Sequence, residues 1–289
     1  MAAMTQTRQQ TERGTIGVFD SGVGGLSVVR ALVQLMPSQP LSYVADNANC
    51  PYGPRPASEI IAFSEGITRY LQTHGSEVVV VACNTASAAA LAPLRQAFPE
   101  VSFVGMVPAI KPAAALTKSG VVGVLATEGT LQGNLFETVV EHWADGVRVI
   151  SRACAGLVEL VESGDVASAE TEAILRSCLE PLLAEGIDVL VLGCTHYPFL
   201  IPTLLRLLPS GVQVIEPSLA IAQQTQRMLS QRGLLVPEGE PARRRYAATG
   251  DPTAMQRALG DYLGERALVE RIRWHGGRLI QAQATKSPA

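Results

Sequence analysis

Apolar and polar positions along this chain fall into a repeated order. A short, almost wholly apolar run meets a polar stop, and a longer stretch with helix-compatible spacing follows. "TIGVFDSGVGG" leads into "LSVVRALVQLM", "PLSYVADNANCPYG" is followed by "SEIIAFSEGITRYLQTHG", and "SEVVVVACNT" runs into "ASAAALAPLRQAF". Further along, "VSFVGMV", "GVVGVLATEGT", "GVRVISRACAG", "DVLVLGCTHYP" and "VQVIEPS" repeat the pattern. Runs that are apolar throughout fit strands covered on both faces, and the strand–loop–helix order predicts an α/β fold with parallel sheets. "RRRYAATGDPTAMQRALGDYLG" adds one more strand and helix, and "QAQATKSPA" reads as a frayed tail.

Two stretches are alike. "IGVFDSGVGG" and "VGVLATEGTL" share a Gly-Val-apolar start followed by small polar residues, and each precedes a cysteine-bearing strand by a similar distance. This predicts two related α/β halves around a pseudo-twofold axis. Ligands of open α/β sheets sit beyond the carboxyl ends of the strands. There the chain places Asp20-Ser21, Cys83-Asn84-Thr85, Thr127-Glu128-Gly129-Thr130 and Cys194-Thr195-His196. Facing halves would bring Cys83 and Cys194 together across a cleft.

Composition narrows the function classes. The chain has 289 residues, 47% of them hydrophobic, and a net charge of −3 with both signs scattered. A sizeable core can form, with no basic footprint for nucleic acid and no cationic face for membranes. The polar start "MAAMTQTRQQTERG" lacks the apolar core of a secretion signal, so a cytoplasmic protein is expected. The five cysteines, Cys50, Cys83, Cys154, Cys178 and Cys194, are widely spaced and are expected to be free thiols. Cys50, Cys154 and Cys178 read as small buried hydrophobes. His74, His142 and His275 read as surface or capping residues.

The two matched thiols carry the chemistry. A strand end opening into a helix N-terminus lowers a thiol's pKa and leaves the sulfur at a ligand-facing edge. Asn84, Thr85 and Thr195 can supply donors for a carboxylate, and His196 is near enough to Cys194 to hydrogen-bond it or a substrate oxygen. An amino acid held between two such thiols can lose its α-proton to one sulfur and receive a proton from the other on the opposite face. Asp20 and Ser21 would hold its ammonium, while the Asn/Thr donors would stabilise charge moving onto its carboxylate. Other readings compete. Gly22 and Gly24, with Asp46 downstream, partly match a dinucleotide fingerprint, but Ser27 replaces its last glycine and Asp20 would repel pyrophosphate. A zinc site at Cys83, Cys194 and His196 lacks the short local spacings of structural zinc. Taken alone, the Tyr52-Gly53 loop reads as a plain turn and Glu162 as a solvated helical charge.

The segments "IGVFDSGVGGLSV", "YVADNANCPYG", "VVVACNTASA", "GVLATEGT" and "LVLGCTHYP" resemble the glutamate racemases of the cofactor-independent aspartate/glutamate racemase superfamily, over about residues 15 to 250. The resemblance implies that Cys83 and Cys194 are the two acid/base thiols. It implies substrate-binding pairs at Asp20-Ser21, Tyr52-Gly53, Asn84-Thr85 and Thr195-His196, with Thr127, Thr130 and Glu162 also in the pocket. It further implies no metal or organic cofactor, L- and D-glutamate as substrates, D-glutamate supply for peptidoglycan, and a homodimer. The implied domains are 14–109 with 217–275, and 110–216, leaving 1–13 and 276–289 as polar tails. "VPAIKPA" and the N-terminal extension resemble members that respond to a cell-wall precursor. Glu128, where relatives often carry a basic residue, and the lack of prolines around "RACAGLVELVES" depart from the pattern. Aspartate or another small acid is the alternative substrate. A catalytically silent amino-acid-binding protein is the alternative class.

Overall fold

A computed structural model describes residues 14–282. The apolar runs become strands β1 (Thr15–Asp20), β2 (Leu41–Ala45), β3 (Ser76–Val81), β4 (Ser102–Gly105), β5 (Val121–Ala126) and β6 (Arg148–Ala153). They continue as β7 (Val189–Gly193), β8 (Gln213–Ile215), β9 (Arg244–Ala248), β10 (Val269–His275) and β11 (Arg278–Gln281). One sheet has the order β11-β10-β9-β2-β1-β3-β4 and the other β6-β5-β7-β8. All pairings are parallel except β10 with β11.

The halves repeat one wiring, since β2-β1-β3-β4 has the same order and direction as β6-β5-β7-β8. Gly17 of β1 lies opposite Val79, and Gly123 of β5 lies opposite Leu190. The central strands β1, β2 and β7 are buried at every position, in keeping with their largely apolar sequences. The edge strand β6 is half-exposed and carries Arg148 and Arg152, which blunt a free edge. Parallel register makes the strands of each sheet end together. Phe19 lies opposite Val81 beside the end of β1, and Ala126 lies opposite Gly193, so Asp20, Cys83, Thr127 and Cys194 all emerge at carboxyl ends.

Two expectations need correcting. Residues 276–289 were expected to be a tail, yet Arg278–Gln281 adds a strand, joined to β10 through Gly276 and Gly277, both at positive φ. A two-residue turn with both φ positive matches strand twist, and glycine adopts it without a steric penalty. The end of the expected frayed tail, from residue 283, and the N-terminal tail 1–13 lie outside the described residues. Cys154 and Cys178 are not free thiols. They form a disulfide between the end of β6 and the helix Ala169–Ala184, with Cα atoms 6.2 Å apart, inside the range a disulfide spans. Among the described residues, no helix is long and apolar enough to cross a membrane.

Candidate active site

Cys83 caps the helix Asn84–Ala97: its backbone is extended and its sulfur accepts the Ala86 N–H at 3.4 Å. That N–H favours a thiolate, but the sulfur is buried and Asp20 lies nearby. Burial first, then the Asp20 charge, push the Cys83 thiol well above its ordinary pKa, against the helix N–H and His196. The lowering expected from the helix N-terminus alone is therefore reversed. Cys194 follows β7 and leads into the short 3-10 turn Tyr197–Leu200, with His196 Nδ1 at 3.9 Å from its sulfur. The two thiols share a local sequence pattern and differ in their immediate partners.

Both line one narrow cleft between the halves, with Ser21, Tyr52, Gly53, Asn84, Thr85, Thr127, Thr195 and His196 on its walls. Asn84 is 3% exposed, and neither amide atom has a hydrogen-bond partner among the described residues. A buried amide with both capacities unused is rare in folded proteins and suits a polar ligand. Thr85 Oγ1 lies 2.8 Å from Thr127 Oγ1, and Thr127 Oγ1 lies 2.9 Å from Thr130 Oγ1. This hydroxyl chain joins the halves at one side of the cavity, and Thr127 also caps the helix Glu128–Leu131.

Asp20 is fully buried beside the lining residues Ser21 and Thr195 and does not itself line the cavity; it accepts from the Gly22 N–H at 2.8 Å and from Thr195 Oγ1 at 2.9 Å. Burial raises its carboxyl pKa against the opposing pull of His196 and these donors. Glu162 reaches in from the helix Leu157–Ser163; its Oε1 accepts the Val23 N–H at 2.7 Å and lies 2.7 Å from His196 Nε2. Burial alone would lower the His196 pKa, but Cys194, Cys50, Glu162 and Asp20 outweigh it and raise the imidazole above its ordinary value.

The glycine turn serves this contact. A Cβ on Gly22 would sit 1.9 Å from Glu162 Oε1, and one on Gly24 2.3 Å from His196 Nδ1. The space a dinucleotide pyrophosphate would need is taken by side chains of the opposite half. Asp46 is not a ribose ligand either. It is buried and accepts from Tyr52 Oη at 2.6 Å, Thr249 Oγ1 at 2.7 Å and Trp274 Nε1 at 2.8 Å. The Tyr52 ring lines the cavity while its hydroxyl is committed to Asp46, and Gly53 approaches Thr127 closely.

Val158 carries no sequence signal for the site, while Asp46 and Cys50 take roles other than the nucleotide acid and the buried hydrophobe their sequence positions suggest. Val158 lines the cavity, Asp46 anchors the Tyr52 loop, and Cys50 lies with its thiol 3.9 Å from Ser21 Oγ. Ser21 Oγ is also 4.0 Å from Cys83 Sγ. Burial pushes the Cys50 thiol up to about 11, so it stays protonated at neutral pH. The donor atoms of Cys50, Glu162 and His196 lie within 4.8 Å of one another. The zinc set weighed from sequence, Cys83 with Cys194 and His196, is thus not the group drawn together most tightly.

Residues 16–225 match the model of the Asp/Glu/hydantoin racemase family. The chain belongs to this family. It is 50% identical to the glutamate racemase of Ectopseudomonas mendocina over 254 residues, 88% of this chain and 96% of that protein. It is 47% identical to that of Pseudomonas aeruginosa strain PAO1 over 248 residues, 86% and 93% of the two chains. Among solved structures, it resembles the glutamate racemase RacE1 of Bacillus anthracis with a TM-score of 0.81, at 33% identity, covering 91% and 98% of the two chains. The Escherichia coli glutamate racemase, solved with L-glutamate and the activator UDP-MurNAc-Ala, matches with a TM-score of 0.79 at 34% identity, covering 91% and 100%. The family match spans both halves of the cavity and all of its lining residues, whereas Thr249 and Trp274, the donors to Asp46, lie beyond it.

Proposed function

We propose that this racemase-family protein interconverts L- and D-glutamate by proton exchange between two thiols. The carrying observation is the cavity itself, where Cys83-Asn84-Thr85 from one half faces Cys194-Thr195-His196 from the other. One sulfur, as thiolate, takes the α-proton and becomes a thiol. The electron pair left on Cα spreads into the substrate carboxylate. The opposite thiol then gives its proton to the other face of Cα and becomes the thiolate, so nothing is consumed and either direction runs by exchanging the two roles.

The partners have distinct tasks. The buried Cys83 thiol resists ionisation, so the substrate ammonium, drawn in beside Asp20, supplies the positive charge that favours a thiolate. The unpartnered Asn84 amide and the Thr85 and Thr195 groups receive the carboxylate as its charge grows. His196, held by Glu162, is placed to stabilise a Cys194 thiolate. Thr127 and Thr130 shape the wall nearest Gly53. The family's glutamate racemases support glutamate over aspartate, and one Francisella tularensis relative is solved with D-glutamate at 27% identity. On the same reading the product serves peptidoglycan synthesis in the cytoplasm, the protein works as a homodimer, and a cell-wall precursor like the one bound to the E. coli relative regulates it.

The deciding experiment is incubation of chelator-treated protein with L-glutamate in D2O, followed by chiral separation and mass analysis. D-glutamate carrying one deuterium at Cα is expected. Full racemisation by Cys83→Ser or Cys194→Ser defeats the two-thiol reading.

A further inference from the structure

The proton exchange uses Cys83 and Cys194 and leaves Cys50 without a task, although Cys50 shares a corner of the site with His196 and Glu162. We propose that Cys50, Glu162 and His196 form a binding site for a borderline-soft divalent cation, Zn2+, and that its occupancy arrests the enzyme. Metal binding stands on the geometry alone; arrest of turnover rests on the racemase reading.

The donor set comes first. The sulfur, carboxylate oxygen and imidazole nitrogen lie within 4.8 Å of one another, and all three side chains are at least half-buried. Tetrahedral zinc, with bonds of about 2.0–2.3 Å, holds its ligand atoms roughly 3.3–3.7 Å apart. The corner therefore needs small side-chain adjustments: the His196–Glu162 contact opens from 2.7 Å and Cys50 draws inward. Thiolate, imidazole and carboxylate together suit zinc and disfavour Mg2+ and Ca2+, which take oxygen ligands.

The surroundings also fit a cation. His196 Nδ1 faces the Cys194 sulfur at 3.9 Å, so Nε2 is the nitrogen turned toward Glu162. A metal-bound histidine commonly gives its other ring N–H to an acceptor, and Cys194 stands in that place. Asp20, joined through Thr195, adds a second carboxylate behind the group. A corner that holds an imidazole beside two carboxylates can hold a metal ion in place of its proton. Three protein donors leave the fourth position open, the arrangement of zinc sites that accept an exchangeable ligand.

Arrest follows from what the ion displaces. The proton between Glu162 and His196 is lost, the Glu162 carboxylate is engaged, and the ring is fixed against the metal. A cation on Nε2 strengthens the Nδ1 N–H as a donor to Cys194 and holds that sulfur as the thiolate, so it can no longer carry the proton it must alternately take and give. No catalytic atom need leave its place, so removal of the ion restores turnover.

The test uses the full-length, chelator-treated protein titrated with Co2+ and then Zn2+. Co2+ reports a thiolate ligand through a sulfur-to-metal charge-transfer band. One Co2+ per chain with that band, displaced by Zn2+, is expected for the natural sequence. Cys50→Ala and Cys50→Ser should lose the band, bind the metal at least tenfold more weakly, and racemise at the natural rate in EDTA. Zinc should stop the natural enzyme reversibly and spare both variants at the same concentration. A band that persists in both variants assigns the metal to Cys83 or Cys194 and overturns the proposal. So does failure of the natural protein to bind either metal at millimolar concentration. The absorption signal needs no turnover, so an absence of racemisation would count against the enzyme assignment without touching this site.

Discussion

Gly22→Ala is the sharpest test of how the two halves hold each other. Among the described residues, the glycines at positive φ do not include Gly22, so alanine is permitted by the backbone. The obstacle is Glu162: the new Cβ would lie 1.9 Å from its Oε1 and 2.6 Å from its Cδ. The carboxylate must withdraw, losing the Val23 N–H and the His196 contact, each now 2.7 Å. Hydrogen bonds to charged groups are worth about 1.5–3 kcal/mol each. Glu162 is 18% exposed, so water recovers part of this. A total loss of roughly 2–4 kcal/mol is expected, divided between stability and transition-state binding. With about half of it on the reaction, kcat/KM falls roughly 5- to 30-fold. The assay is a double-mutant cycle on thermal unfolding and on racemisation with Glu162→Ala. Removing the carboxylate removes the obstacle, so adding Gly22→Ala to Glu162→Ala should cost less than about 0.5 kcal/mol. Strict additivity, with the glycine change equally costly in both backgrounds, refutes the idea that Gly22 exists to admit Glu162.

Other consequences follow from the same geometry. Thr127→Val removes the hydroxyl contact to Thr85 and the cap on the short helix Glu128–Leu131, and should cost about 1–2 kcal/mol by chemical denaturation. Substrate KM should rise with it, because that wall of the cavity loses its tie. Trp274→Phe removes one donor to buried Asp46, and a loss of about 1 kcal/mol should lower Tm by roughly 2–4 °C. Asp188 provides a pH test. Its slight burial pulls the carboxyl up, but hydrogen bonds from Thr117 and the N–H groups of Lys118 and Ser119 outweigh it and bring it to about 2. A depressed folded-state value stabilises above the ordinary value of 3.8, and the gain fades as pH falls toward 2. Because the group is largely solvent-screened, Asp188→Asn should cost no more than about 1 kcal/mol at neutral pH. Melting curves of the two proteins should converge as acid is added, and a gap that persists unchanged in acid rejects the assignment.

The parallel α/β architecture was legible because its cause is local. A strand buried on both faces must be apolar throughout, and β1, β3 and β7 announce themselves in any window of six residues. The paired thiols were legible for a related reason: parallel strands of one register finish together, so a cysteine after such a run lands at the ligand-facing edge. The hairpin of β10 and β11 was missed although its signal was present. Gly276-Gly277 stands between Ile272 and Trp274 on one side and Leu279 on the other, but polar and charged residues on both strands diluted the alternation. The Cys154–Cys178 disulfide had no signal, because a pairing between a strand end and a helix depends on packing that spacing does not encode.

What remained hidden at the site shares one property: it spans segments far apart in sequence. Asp46 looked like a nucleotide-binding acid because its place after β2 is the right one. Only the return of β9 and β10 supplies Thr249 and Trp274 as its donors. These bonds tie the C-terminal strands to the loop that carries Tyr52, so the last part of the first sheet helps set a cavity wall it does not line. Gly22 and Gly24 make the same point from the opposite direction. Their spacing resembles a phosphate-binding turn because both uses need a backbone with no Cβ in the way. In a dinucleotide site the cleared space admits pyrophosphate, whereas here it admits Glu162 and His196 from the other half. The glycine pattern thus records that something approaches the backbone closely, and the chemistry of the approaching group decides the function. A carboxylate at this turn is compatible with a site built around an ammonium and incompatible with one built around a phosphate, which is why the same residues exclude the nucleotide reading while supporting the amino-acid one.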